Sequence, residues 1–297
     1  VIARTPRTMN TLPTTPDEFG IFLPDQHDQA EEFFRAYGFA ALRGVFSEAE
    51  LVAMEQECVA AQEELTAGRL HERHGTEILI EGDAGDKANQ FANYVTYMTE
   101  LSPAVTAGVH HRDVLDLMSR LLHEDYWLLD EQRFGVVYQD ARPGPESSYT
   151  RIGWHSDWQS GPHLDIWPAV AFTFHLDATS PANGFLRVVP GSHHWNTPAP
   201  FLNINDALVP AGSAEAAGHT SQPPPSQMPL RFERVPGEIA LYCDRGDILF
   251  HDAYLWHSAA RGTDDETRRR HIRGSFHSGA EELQGEHLAD FVKNAAR

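Results

Sequence analysis

With 297 residues, 41% of them hydrophobic and 22% charged, the chain is long enough for one large catalytic domain, and its composition is neither that of a disordered tail nor that of a membrane protein. Its formal charge of −20 argues against nucleic acid or an anionic membrane surface as partner, because both repel a strongly negative body. Only Cys58 and Cys243 are present, far apart and outside any C-x-x-C or Cys/His zinc spacing, which fits a reducing, cytoplasmic setting.

From the N-terminus, residues 1–16 are polar and lack the apolar run of a signal peptide or anchor, so a flexible tail is expected there and a single domain over 17–297. Residues 26–38 predict a short amphipathic helix, with Phe33, Phe34 and Tyr37 on one face and Gly38 as the stop. The run Ser47-Glu48-Ala49-Glu50 is a capping box opening a helix to about Ala67, whose Leu51, Met54, Cys58 and Ala61 form an apolar stripe. A third helix is predicted over 113–123, carrying Val114, Leu117, Met118, Leu121 and Leu122 inward.

From Tyr126 the texture changes to short aromatic and β-branched runs separated by Gly, Pro, Asn and Asp. Candidate strands are 135–138, 153–158, 169–176, 184–189, 239–242, 247–251 and 271–277, spaced as in antiparallel barrels. The expected fold is α+β, a double-stranded β-helix (a cupin-like jelly roll) with flanking N-terminal helices. Residues 196–236, including Gln222-Pro223-Pro224-Pro225, are long for a loop in a compact domain and are expected to be a lid or insert.

His-x-Asp on a strand places an imidazole and a carboxylate on one face, since side chains alternate with a period of two. The spacing occurs in the sheet half at His155/Asp157, His163/Asp165 and His175/Asp177, and among 17 histidines one such pair is expected by chance. For His175/Asp177 the turn reading prevails, because Asp177 leads into Ala178-Thr179-Ser180-Pro181. His193 and His194, in the Pro190-Gly191-Ser192 turn, read as scaffold or surface. A non-haem iron site needs one more imidazole from a distant strand, and the apolar run from Gly246 delivers two, His251 and His257. Arg268 stands eleven residues past His257 (268 − 257 = 11), and its planar fork suits a carboxylate.

These residues lie in Trp154-His155-Ser156-Asp157, in 183–193 (NGFLRVVPGSH), and in the stretch from Gly246-Asp247 through Trp256-His257-Ser258 to Arg268. Together they resemble the phytanoyl-CoA dioxygenase-like family of Fe(II)/2-oxoglutarate oxygenases over most of the chain. The resemblance implies iron ligation by His155, Asp157 and His257, and an Arg268 grip on the distal carboxylate of 2-oxoglutarate. Thr173 resembles the hydroxyl residue assisting that arginine, and Gln139 a strand residue facing the co-substrate. The implied activity is a dioxygenase that takes Fe(II), 2-oxoglutarate and O2, releases succinate, and hydroxylates a small molecule. Asp157 disfavours halogenation, because halogenating relatives replace this carboxylate with a small residue. The resemblance to ectoine hydroxylase ends after Asp157, where this chain reads Trp158-Gln159-Ser160-Gly161. Trp158, Phe185 and Trp256 are candidates for the substrate pocket. Competing readings are epimerisation, cyclisation or desaturation at the same centre, a metal-binding jelly roll without catalysis, and a zinc hydrolase, for which the arginine has no use.

Overall fold

The computed structural model describes residues 19–75, 78–80, 90–123, 125–131, 134–141, 152–157, 169–195, 201–204, 207–210, 234–235, 237–260, 262–264 and 267–278. The predicted tail, Trp158 and the His163/Asp165 pair lie outside the described residues, as does most of 196–236.

The first third is helical for local reasons. Helix α1 (His27–Tyr37) buries Ala30 and Phe34 and ends where Gly38 takes the left-handed conformation and returns its N–H to the Phe34 carbonyl. A Cβ on Gly38 would meet His193 Nδ1 at 2.5 Å, so the same glycine lets the helix end close onto the His193 turn. Helix α2 (Glu48–Thr66) opens on the complete Ser47/Glu50 capping box and buries Leu51, Met54, Cys58, Ala61 and Leu65. Two short helices, α3 (Met98–Leu101) and α4 (Pro103–Val109), are additions to the sequence reading; Ser102 caps the second with Pro103 in its first turn. Helix α5 (Arg112–Leu122) starts with the His111 ring accepting the Asp113 N–H, which assigns that His-x-Asp pair to capping. Among the described residues no helix is long and apolar enough to cross a membrane.

The strands, in chain order, are β1 (Ile21–Phe22), β2 (Phe39–Leu42), β3 (Ile78–Ile80), β4 (Gln90–Ala92), β5 (Tyr94–Val95), β6 (Tyr126–Leu128), β7 (Val137–Ala141), β8 (Ile152–His155), β9 (Ala169–His175), β10 (Phe185–Val188), β11 (Phe201–Ile204), β12 (Ala207–Pro210), β13 (Ile239–Leu241), β14 (Ile248–Asp252), β15 (His257–Ala260) and β16 (Arg269–Ser278). A large sheet runs β1-β2-β14-β9-β16-β7-β5, with β6 pairing the far end of β16. A smaller sheet runs β13-β10-β15-β8. The jelly roll is these two sheets face to face. Within 196–236, β11 and β12 pair as an antiparallel hairpin.

Alternation sorts the large sheet. Phe172, Phe174, Ile248, Phe250, Ile272 and Phe276 pack with Phe34, Met54, Leu117 and Met118 of the helices into the principal core. The intervening residues face the smaller sheet, where Phe39, Ala41, Val188, Leu241, Leu249 and Leu255 close one side. The remaining inward positions gather polar side chains between a few apolar ones, and they form the site.

Candidate metal centre

Strand β8 ends at His155, β15 begins at His257, and the two residues are direct partners in the antiparallel ladder. Their imidazoles stand side by side, ring centres 4.2 Å apart. Asp157, two residues beyond His155, returns to the same face, with Oδ1 3.6 Å from His257 Nε2 and 3.8 Å from His155 Nε2. Each Nδ1 is held by a backbone carbonyl two residues upstream, Gly153 at 2.8 Å and Leu255 at 2.9 Å. A carbonyl only accepts, so Nδ1 carries the proton and Nε2 offers its lone pair to the shared centre.

One donor atom from each of the three residues lies within 4.8 Å of the other two. Burial lowers the His155 pKa; burial and then the neighbouring His155 and His251 push His257 well down, so both imidazoles are neutral. Burial raises the Asp157 carboxyl, but His257 and His251 outweigh it and hold Asp157 below the usual carboxylate range. Two neutral nitrogens and an ionised oxygen on one side of a cavity are the donor set of a facial two-His, one-carboxylate metal site, and they fit Fe(II).

His251, from β14, places Nε2 3.1 Å from Asp157 Oδ2, and its ring centre is 4.5 Å from that of His257. It stands beside the compact trio and holds the second carboxylate oxygen, the arrangement by which an outer partner orients a ligand.

The centre opens into a cavity of about 320 Å³ between the sheets. Gln139 and Thr173 line it, as do His175, His271, Arg269 and Arg273. Arg268, expected to be the carboxylate clamp, is exposed, and its backbone carbonyl receives the Asn183 side chain. Strand β16 begins at Arg269, and it is this side chain that turns inward. Arg269 is 6% exposed, its Nε has no hydrogen-bond partner, and burial pulls its pKa down to about 10. Its Nη1 crosses to the smaller sheet over Gly184: a Cβ there would meet Nη1 at 2.8 Å and the Ala260 carbonyl at 2.5 Å. Gly184 also has φ +92, a conformation side-chain-bearing residues rarely adopt.

The aromatic expectations are corrected in the same way. Phe185 packs edge-on against Tyr242, while its neighbour Leu186 lines the cavity. Trp256 belongs to a separate cluster with Trp154 and Val189, while its neighbour His257 faces in. Both sit one residue out of phase with the inner face. His175 lines the cavity, its Nδ1 3.2 Å from the Asp247 carbonyl and its pKa lowered by burial to about 4, whereas Asp177 leaves the site and pairs with Arg270 at 2.6 Å. The residues that sequence reasoning passed over are Arg273, His271 and the rim residues Leu129 and Phe134.

The profile of the phytanoyl-CoA dioxygenase (PhyH) family matches residues 34–270. A search of curated proteins finds no match. Among solved structures, AviO1 from Streptomyces viridochromogenes Tue57 is similar with a TM-score of 0.55 at 18% identity, over 86% of this chain and 96% of that one. EctD from S. alaskensis with 2-oxoglutarate and 5-hydroxyectoine gives 0.56 at 17%, over 84% and 75%. The epimerase SnoN in complex with Fe3+, alpha ketoglutarate and nogalamycin RO gives 0.55 at 18%, over 86% and 84%. At these identities the structural likenesses speak for the fold alone.

Proposed function

The chain belongs to the phytanoyl-CoA dioxygenase family, and from that premise we propose that it is an Fe(II)- and 2-oxoglutarate-dependent dioxygenase that hydroxylates a small-molecule metabolite in the cytoplasm. The observation that carries this reading is the convergence on one cavity of the His155, Asp157 and His257 donors and a buried guanidinium, Arg269. A metal-binding protein without catalysis needs no buried cation beside its ligands.

His155, Asp157 and His257 would hold the metal, on the side of the cavity where their donor atoms converge. The Gly153 and Leu255 carbonyls fix both imidazoles in the ligating tautomer, and His251 fixes the carboxylate. Arg269 would take the distal carboxylate of 2-oxoglutarate, and Thr173 and Gln139 line the same cavity. When bound, the iron and 2-oxoglutarate supply the oxidation, in which O2 is consumed and 2-oxoglutarate loses carbon dioxide to give succinate. The apolar walls formed by Val137, Ala171, Leu186 and Leu249 keep competing water out.

The test is anaerobic addition of 2-oxoglutarate to the Fe(II) protein, which should raise a weak visible charge-transfer band, followed in air by a succinate-release screen over candidate metabolites. A product heavier by one oxygen establishes hydroxylation. An unchanged mass assigns epimerisation, and loss of two hydrogens assigns desaturation or ring closure. Absence of the band together with tight zinc retention would overturn the oxygenase reading.

A further inference from the structure

We infer that the substrate is a carboxylic acid with an apolar body, and that Arg273 holds its carboxylate at the open side of the cavity; this rests on the oxygenase reading above. Arg273 shares the inward face of β16 with Arg269 and His271 and stands opposite Thr173 of β9 and Val137 of β7. Arg273 lies four positions beyond Arg269, so their backbones are about 13 Å apart on an extended strand. They serve two anion positions.

The charges in the cavity leave a place for a second anion. A bound metal dication and the two guanidiniums carry four positive charges, and Asp157 cancels one. 2-Oxoglutarate brings two negative charges, one to the metal and one to Arg269. One positive charge remains, on Arg273.

Arg273 is exposed, so it meets solvent at the mouth of the cavity. Around the barrel Arg43, Arg187, Arg245 and Arg270 each hold a carboxylate. Arg273 has no carboxylate partner among the described residues, although the chain carries an excess of twenty negative charges. Its guanidinium instead lies 5.0 Å from the centre of the Tyr94 ring, a support that aims the fork without occupying its donors. A lone planar fork matches the two oxygens of a carboxylate.

The apolar body is read from the rim. Phe134, 55% exposed, lines the cavity from a residue with φ 78, an unfavourable backbone state for a bulky side chain. Tyr97 maintains it, donating its N–H to the Phe134 carbonyl at 2.9 Å and accepting the Phe134 N–H on its hydroxyl oxygen at 3.3 Å. Phe134 and Leu129 give the cavity that Arg273 also lines an apolar wall.

The experiment uses anaerobic Fe(II) protein saturated with 2-oxoglutarate, titrated calorimetrically with 3-phenylpropionate and hexanoate against 3-phenylpropionamide and hexanamide. Wild type should bind at least one acid about tenfold or more tighter than its amide, the scale of a charge-assisted hydrogen-bond pair. Arg273→Gln should abolish that preference, Arg273→Lys should keep part of it, and 2-oxoglutarate affinity should stay within about twofold in both. The inference is overturned if wild type shows no preference for an acid, if Arg273→Gln retains one, or if Arg273→Gln weakens 2-oxoglutarate as strongly as Arg269→Gln does. Co-substrate binding is measured before any probe is added. Wild type that fails to bind 2-oxoglutarate with Fe(II) sinks the oxygenase reading and this inference with it, whereas normal co-substrate binding without acid preference sinks this inference alone.

Discussion

Arg269→Gln should make the ligand-free protein more stable and the co-substrate complex weaker, a pair of opposite effects that few buried substitutions produce. Arg269 is 6% exposed, its Nε has no partner, and desolvation lowers its pKa to about 10. The difference corresponds to about 3 kcal/mol against folding. Because the folded pKa is the lower one, that cost is fully present below about pH 10 and fades only as the pH rises from there toward the ordinary guanidinium range, so it is constant across the physiological range. Removing a buried charge that lacks a counter-ion relieves it, and glutamine should raise metal-free stability by up to about 3 kcal/mol, less the desolvation of its own amide.

The same change removes a two-pronged charged contact to the distal carboxylate. Hydrogen bonds to charged groups contribute about 1.5–3 kcal/mol, so the 2-oxoglutarate Kd should rise about tenfold to hundredfold. Arg268→Gln, at an exposed position, should alter neither quantity by more than about 0.5 kcal/mol. Urea unfolding of the metal-free proteins gives the first quantity, and anaerobic titration of the Fe(II) proteins with 2-oxoglutarate, followed by the visible band, gives the second. Loss of affinity in Arg268→Gln with retention in Arg269→Gln would refute the assignment. Destabilisation of metal-free Arg269→Gln by more than about 1 kcal/mol would show that the guanidinium already has a counter-charge.

Three further outcomes follow from the site. His257→Ala should leave the protein without iron, whereas His251→Ala should keep one iron with affinity reduced about 10–100-fold; the reverse pattern in metal analysis would exchange the two roles. Stability of the metal-free protein should fall as pH drops from about 6.5 toward 4, because His175 stays neutral in the fold until about pH 4 while the unfolded chain protonates near 6.5. The loss from this group is about 3 kcal/mol, and a urea midpoint that is constant over the range, or as steep in His175→Gln, would contradict it. Gly184→Ala should destabilise the fold and weaken 2-oxoglutarate while sparing the metal, since its Cβ meets Ala260 O and Arg269 Nη1; an unchanged co-substrate Kd would place the guanidinium elsewhere.

The helical layer is legible in the sequence because its signals are local. The Ser47/Glu50 box, the Gly38 stop and the stripes on α2 and α5 each depend on residues within a few turns, and the helices end within a residue or two of expectation. Helix α4 goes unread although Ser102-Pro103 carries the cap and first-turn signal, because seven residues are too few for a periodic stripe to stand out. Strand β2 goes unread for a different reason. Phe39, Ala40, Ala41 and Leu42 are all buried, helices on one face and the smaller sheet on the other, so no alternation marks them.

The site divides along a similar line. His155 and Asp157 share a face whatever the phase of their strand, because a spacing of two is a property of one strand alone. Arg268 rests on a count of eleven from His257 across an intervening loop, and a count through a loop carries no phase. Phe185 and Trp256 fail likewise, each one residue from an inward neighbour. Yet the last strand does record its own phase: Ile272 and Phe276 are apolar residues of a kind that belongs against the helices, which sends Arg269, His271, Arg273 and Ser275 to the other face. Once Ile272 is assigned to the helix side, the inward arginines are 269 and 273, and Arg268 and Arg270 must point away.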